Sequence, residues 1–129
     1  MPDQVKYLAA ATLQIIQELH SKNIIYRDLK TENLILQKHD ASLKLVDFGF
    51  AKLLTPDSLR TYTRCGTPGY SAPEVLRQID PTADAQTRRR QSLNSTGYSY
   101  PCDIWSWGVL LCELTGGFNP FGFETKEVM

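Results

Sequence analysis

The sequence predicts an α+β fold, mainly helical with one small β-hairpin. Three observations predict it. An amphipathic stripe opens the chain, two short apolar runs flank a polar turn in the middle, and a largely apolar segment near the end carries helix start and stop signals.

In chain order, Val5, Leu8, Thr12, Ile15, Ile16 and Leu19 recur at three- and four-residue spacing behind Pro2 and Asp3. That is one face of a helix, expected to end near Ser21. "NIIY" then reads as a short strand, and "LILQ" with "SLKLV" as two more around the turn "KHDA". From Asp47 to Pro73 the chain is polar and contains Gly and Pro, the pattern of a long ordered loop. Residues 78–96, "QIDPTADAQTRRRQSLNST", offer neither period nor core and are expected to form an exposed or disordered insertion. "DIWSWGVLLCELT", residues 103–115, is apolar around most of its circumference, which suits a helix inside a protein. Asp103 is placed to cap its start, and Gly116, Gly117 and Pro120 stop it.

Bulk properties narrow the function. With 129 residues and 42% hydrophobic composition the chain can bury one small core. Fourteen basic and fourteen acidic residues cancel, so charge alone points to no nucleic acid and no membrane surface. Cys65, Cys102 and Cys112 are odd in number and lack C-x-x-C spacing, which argues against a disulfide framework and a zinc site. The first residues lack the basic and apolar regions of a secretory leader, and the longest apolar stretch, Ile104 to Cys112, is too short to span a bilayer. A cytoplasmic or nuclear location is expected.

The chemistry concentrates in "IIYRDLKTENLIL". A strand that delivers Arg27, Asp28, Lys30 and Asn33 into one tight loop, followed by a hairpin that delivers Asp47-Phe48-Gly49, assembles two carboxylates, an amide and a cation. Phosphoryl transfer from a magnesium nucleotide requires those groups. Asp28 can accept the proton of an attacking hydroxyl, and Lys30 can neutralise charge on the moving phosphoryl group. Asn33 and Asp47 offer hard oxygen ligands for Mg²⁺.

These motifs together resemble the catalytic half of a eukaryotic protein kinase domain. "YRDLKTEN" (residues 26–33) is similar to the catalytic loop, "DFG" (47–49) to the metal-binding motif, and "CGTPGYSAPE" to the end of the activation segment (47–74). "DIWSWGVLLCEL" resembles the central helix of the large lobe. The order matches too: Asp28 and Asp47 stand 19 positions apart, Asp47 and Glu74 27. The resemblance implies a partial large lobe across residues 1–129, interrupted by the polar insertion.

It also implies a set of roles. Asp28 would be the base, Lys30 a catalytic and nucleotide-facing cation, and Asn33 and Asp47 the metal ligands, with Glu32 and Ile35 also on the ATP side. ATP and Mg²⁺ are the expected cofactors. Thr63 stands where many such kinases carry an activating phosphate, with Arg27 and Lys52 as the cations that grip it. Thr67 matches the residue that joins the catalytic aspartate and lysine in serine/threonine kinases. Asp103 would fasten the backbone of the catalytic loop as well as cap its own helix.

Tyr26, "DFGFAK" and "RTYTRCGTP" are similar to the cyclic-nucleotide-dependent kinases of the AGC group, whereas "GTPGYSAPEVL" is closer to the calcium/calmodulin-dependent type. In the first group glutamates matching Glu32 and Glu113 bind arginines upstream of the target, so protein substrates with basic residues before Ser or Thr are expected. Three departures stand out: Gly69 replaces a further glutamate, Arg64 and Ser71 occupy positions that usually form an apolar pocket, and Thr31 replaces a proline. In the insertion, "RRRQSL" places Arg89 and Arg90 before Ser92, which resembles a target of this same class.

No G-x-G-x-x-G and no lysine in a V-A-x-K setting occur, so the small lobe that covers ATP is expected to be missing, as are the later large-lobe helices. The 129 residues alone are therefore expected to transfer little or no phosphate. Two classes of function fit: a segment of an active serine/threonine kinase, or a noncatalytic kinase-like module that binds partners. The intact set Asp28, Lys30, Asn33 and Asp47 favours the first.

Overall fold

The first helix, α1 (Asp3–Ser21), forms where the stripe predicts it. Its buried residues Ala9, Thr12 and Ile16 repeat at three and four positions, one continuous ridge against the core. The computed structural model describes residues 2–122. After α1 come β1 (Ile24–Ile25), a 3₁₀ turn (Thr31–Asn33), β2 (Leu34–Leu36), β3 (Leu43–Leu45) and β4 (Lys52–Leu53). Three helices follow: α2 (Pro73–Leu76), α3 (Ala85–Asn94) and α4 (Pro101–Gly116).

The strands make two antiparallel pairs. The expected hairpin joins β2 to β3 in the register Leu34↔Leu45, Ile35↔Lys44 and Leu36↔Leu43. The other pair, β1 with β4, sets Ile25 opposite Lys52 and so brings the segment after Asp47-Phe48-Gly49 beside the start of the loop at residues 26–33. Two apolar clusters fill the interior. One contains Ile16, Tyr26 and Leu29, with Leu19, Leu45 and Trp107 against them. The other contains Ile25, Leu54, Ala72, Val75, Tyr98 and Cys102. The indole of Trp107 donates to the Ala9 carbonyl at 2.9 Å and so ties α4 to α1.

Three expectations are corrected. The central helix begins at Pro101, two residues before Asp103, and its cap position is Tyr100, which makes no side-chain capping bond. Proline starts a helix readily because its absent N–H would lack an intrahelical partner anyway. The helix also buries one face only, through Cys102, Asp103, Ser106, Val109 and Leu110, and leaves Ile104 and Trp105 exposed. The insertion at 78–96 is neither wholly irregular nor wholly exposed. It contains α3, whose cap Asp84 accepts from the Thr87 amide at 2.9 Å, and it begins with the buried Gln78. A helix with no buried residue carries no apolar period, so the pattern could not reveal it. None of the described helices is long and apolar enough to cross a membrane.

Candidate active site

Asp103 is the anchor of the site. Its Oδ2 accepts from the Tyr26 amide at 2.9 Å and its Oδ1 from the Arg27 amide at 2.8 Å. The His20 ring nitrogen Nε2 lies 2.8 Å from Oδ2, and Asp103 itself is fully buried. Arg27 takes the left-handed conformation, φ 69°, which a residue with a side chain adopts only when its surroundings impose it. The two bonds from Asp103 impose it here, so the carboxylate serves the catalytic loop and not the cap of its own helix.

Beyond that bend the chain assembles a hydrogen-bonded cluster. Thr67 Oγ1 donates to Asp28 Oδ1 at 2.7 Å and accepts from Lys30 Nζ at 2.8 Å. The ammonium stands 3.8 Å from Asp28 Oδ1. On the other side, Asn33 Nδ2 donates to the Asp28 carbonyl at 2.9 Å and to Asp28 Oδ2 at 3.2 Å. Both carboxylate oxygens are thus held in place, and Asp28 is 6% exposed.

The hairpin brings in Asp47. The Val46 amide donates to the Asn33 carbonyl at 2.9 Å, so Asp47 follows directly on a residue bonded to Asn33. Its backbone is also left-handed, φ 62°, and its exposed carboxylate accepts from the Gly49 amide at 3.2 Å. Burial pushes the Tyr26 phenol well above the usual range, and the charges of Asp28 and then Asp47 push the same way. The hydroxyl stays protonated and donates to the Val46 carbonyl at 2.5 Å.

Among the described residues no cluster of three or more His, Cys, Asp or Glu side chains could hold a metal unaided. Mg²⁺ does not need one, because it is bound by one or two carboxylates together with substrate phosphates and water. Asn33 fits such a set: its amide nitrogen is engaged by Asp28, which fixes the side chain and leaves Oδ1 as the end free to coordinate. Asp47 fits as an exposed carboxylate at the end of a rigid hairpin.

The remaining expected residues sit around this centre. Ile35 is 48% exposed and, with the exposed Leu36 and Phe48, presents apolar surface without cover among the described residues. Glu32 is exposed, and Glu113 accepts from the Tyr70 hydroxyl. Burial and then that bond push the Tyr70 phenol up to about 12, with the charge of Glu32 adding to that of Glu113. Both glutamates therefore act electrostatically on one tyrosine.

Near Thr63, the residue expected to carry a phosphate, the two cations rest on its neighbour. Arg27 Nη1 lies 3.4 Å and Lys52 Nζ 3.2 Å from Thr61 Oγ1, so the two cations meet on Thr61 and not on Thr63. Thr61 is fully buried, whereas Thr63 is exposed: its carbonyl accepts from the Tyr98 hydroxyl, and among the described residues its side chain makes no hydrogen bond. Arg27 also donates to Tyr98 Oη at 3.1 Å. Residues two apart on extended chain share a face, so Thr61 and Thr63 stand on the same side of the segment. Tyr98 lies beyond the insertion, and no local pattern marks it.

A groove of about 780 Å³ lies beside Arg64, Ser71, Leu76 and Trp105 and not at Asp28. Arg64 turns toward Asp80 at 3.6 Å, so its charge is matched within the insertion. Gly69 has φ +90°, a conformation that a glutamate there would adopt only under strain.

Comparison with known proteins places this arrangement in a family. A family model for the protein kinase domain matches residues 1–129. The chain is 43% identical over 116 residues to cAMP-dependent protein kinase type 3 of Saccharomyces cerevisiae, which covers 90% of this chain and 24% of the yeast protein. It is 42% identical over 126 residues to the human cAMP-dependent protein kinase catalytic subunit PRKX, covering 93% of this chain and 29% of the relative. With a Drosophila melanogaster cGMP-dependent protein kinase, isozyme 2, the identity is 44% over 116 residues, 90% of this chain and 10% of the relative. The chain thus spans less than a third of the length of each of these three relatives. The match over residues 1–129 and the geometry around Asp28 and Asp47 lead to one conclusion: this chain belongs to the protein kinase domain family.

Proposed function

We propose that the chain is the catalytic-loop and activation-segment part of a serine/threonine protein kinase that uses ATP and Mg²⁺. One observation carries the reading: the Thr67 hydroxyl joins Asp28 to Lys30 while Asn33 holds the other carboxylate oxygen. A base and a cation fixed on the same hydroxyl are positioned for a substrate hydroxyl and a phosphoryl group that meet between them.

Asp28 orients the acceptor hydroxyl and takes its proton. Lys30 faces the γ-phosphoryl oxygens, over which the charge of the moving group is spread. Asn33 and Asp47 would hold Mg²⁺, which supplies charge neutralisation on the nucleotide phosphates when bound. Ile35 offers its exposed apolar side chain to the adenine, and Glu32 stands on the same loop. Glu32 and Glu113, whose charges both act on Tyr70, suit guanidinium groups upstream of the target, since carboxylate–guanidinium pairs are strong and directional. The named cAMP- and cGMP-dependent relatives support placing the parent in the AGC group.

Regulation by Thr63 belongs to the same proposal. A phosphate on this exposed threonine, two residues from Thr61, lies within reach of a shift of Arg27 and Lys52 from one hydroxyl to three anionic oxygens. The three free thiols, Cys65, Cys102 and Cys112, support a reducing, cytoplasmic or nuclear location.

The test is a chimera in which the matched 116 residues of the yeast relative are replaced by those of this chain. The folded chimera is expected to phosphorylate a serine peptide with upstream arginines. A folded chimera that transfers no phosphate overturns the reading.

A further inference from the structure

The insertion is bound to the activation segment at both roots, and between them it carries a helix that buries nothing. At one root Thr63 bridges to Ile79 and Arg64 pairs with Asp80. At the other, Thr61 and Tyr98 exchange two backbone bonds of 2.9 Å, and Arg60 donates to the Gly97 carbonyl at 2.9 Å. Between the roots, the side-chain bonds that hold α3 among the described residues are its Asp84 cap, Gln91 Oε1 on the Asp80 amide at 2.7 Å, and Ser95 on Gln78. A ten-residue helix is shorter than the ~12–15 residues that are marginal alone in water, so α3 opens at little cost.

What α3 presents is specific. Ser92 is exposed, and Leu93 after it is 86% exposed, the highest among the described large apolar side chains. Arg89 and Arg90 are exposed, and among the described residues their guanidinium groups make no hydrogen bond or ion pair. In the helix, Arg89 lies one turn from Ser92 on the same face, and in an opened strand both arginines precede the hydroxyl in line.

We infer that Ser92 is a phosphoacceptor for a protein kinase whose cleft carries carboxylates for arginine, and that α3 opens to present it. In the step, Ser92 Oγ forms a bond to the γ-phosphorus of ATP while the bond from that phosphorus to the β,γ-bridging oxygen breaks. ADP leaves with that oxygen, and the hydroxyl proton passes to the carboxylate base of the modifying kinase. Arg89 and Arg90 supply guanidinium forks for its acidic groups, and Leu93 supplies an apolar contact just beyond the acceptor.

The inference does not rest on catalysis by this chain, and its test keeps the two apart. The 129-residue chain carrying Asp28→Asn, which removes its own proposed base, is incubated with magnesium ATP and the active catalytic subunit of a cAMP-dependent kinase. Tandem mass spectrometry then locates the phosphate. Phosphate is expected on Ser92, absent after Ser92→Ala and reduced at least tenfold after Arg89→Ala with Arg90→Ala. A synthetic peptide of residues 86–96 gives the same readout without any need for folding. Ser92 unmodified in both chain and peptide overturns the inference, as does modification indifferent to the arginines.

Discussion

Thr67 and Asp28 are 39 residues apart in the chain, yet the threonine hydroxyl donates to the carboxylate at 2.7 Å and accepts from Lys30 at 2.8 Å. The segment that carries Thr67 is thereby hydrogen-bonded into the cluster around Asp28. In the yeast chimera, Thr67→Ala is expected to lower kcat by about 10²-fold, the cost of misplacing a catalytic group by about 1 Å. Thr67→Ser keeps the hydroxyl and should retain most of the rate. Equal rates for the alanine variant and the parent would show that the bridge has no catalytic part.

Asp103 supports the same loop from beneath. Asp103→Ala leaves the buried amides of Tyr26 and Arg27 without their acceptor and removes the partner of His20. The expected loss is about 3–5 kcal/mol, the range for breaking a buried charged network by removing one member. Urea unfolding of the chain measures it. A change within about 0.5 kcal/mol, the scale of an ordinary surface substitution, would contradict the anchoring role.

Gly66 shows how closely the two segments approach. A Cβ built there stands 2.7 Å from the Arg27 carbonyl oxygen, and φ is +97°. The obstacle is backbone, which cannot rotate away, and the conformation itself disfavours a side chain. Gly66→Ala should therefore destabilise the chain by more than about 1 kcal/mol in thermal unfolding, whereas at an unstrained site the same change stabilises slightly.

Alkaline pH should loosen the fold through its buried phenols. The Tyr70 phenol is raised from 10 to about 12 by burial and by its bond to Glu113. The unfolded chain releases this proton first, so the stabilisation is complete below about pH 10 and is lost as pH rises toward 12. Burial raises Tyr26 and Tyr98 as well, which strengthens the trend. Urea midpoints measured stepwise above neutral pH should begin to fall near pH 10, and less steeply in Tyr70→Phe. Identical slopes for parent and variant would contradict the assignment.

Much of this arrangement was legible in the sequence because it is local. The stripe of α1, the β2–β3 hairpin and the loop from Arg27 to Asn33 each depend on residues within a few positions of one another. The distant relations were not legible from spacing. Nothing local pairs Ile25 with Lys52 or sends both cations to Thr61. Asp103 suited both roles by residue type, and only its bonds to the distant Tyr26 and Arg27 amides, with the helix start at Pro101, show which one it fills. Helix α3 escaped because its stability rests on a cap and two side-chain tethers and not on an apolar face.

The most direct measurement is kcat of the yeast chimera with Asp28→Asn, at saturating ATP and peptide. If Asp28 takes the acceptor proton, kcat falls by about 10²–10⁴-fold while the KM for ATP stays close to that of the parent. A folded variant that keeps kcat within a factor of a few would contradict the catalytic assignment of this cluster.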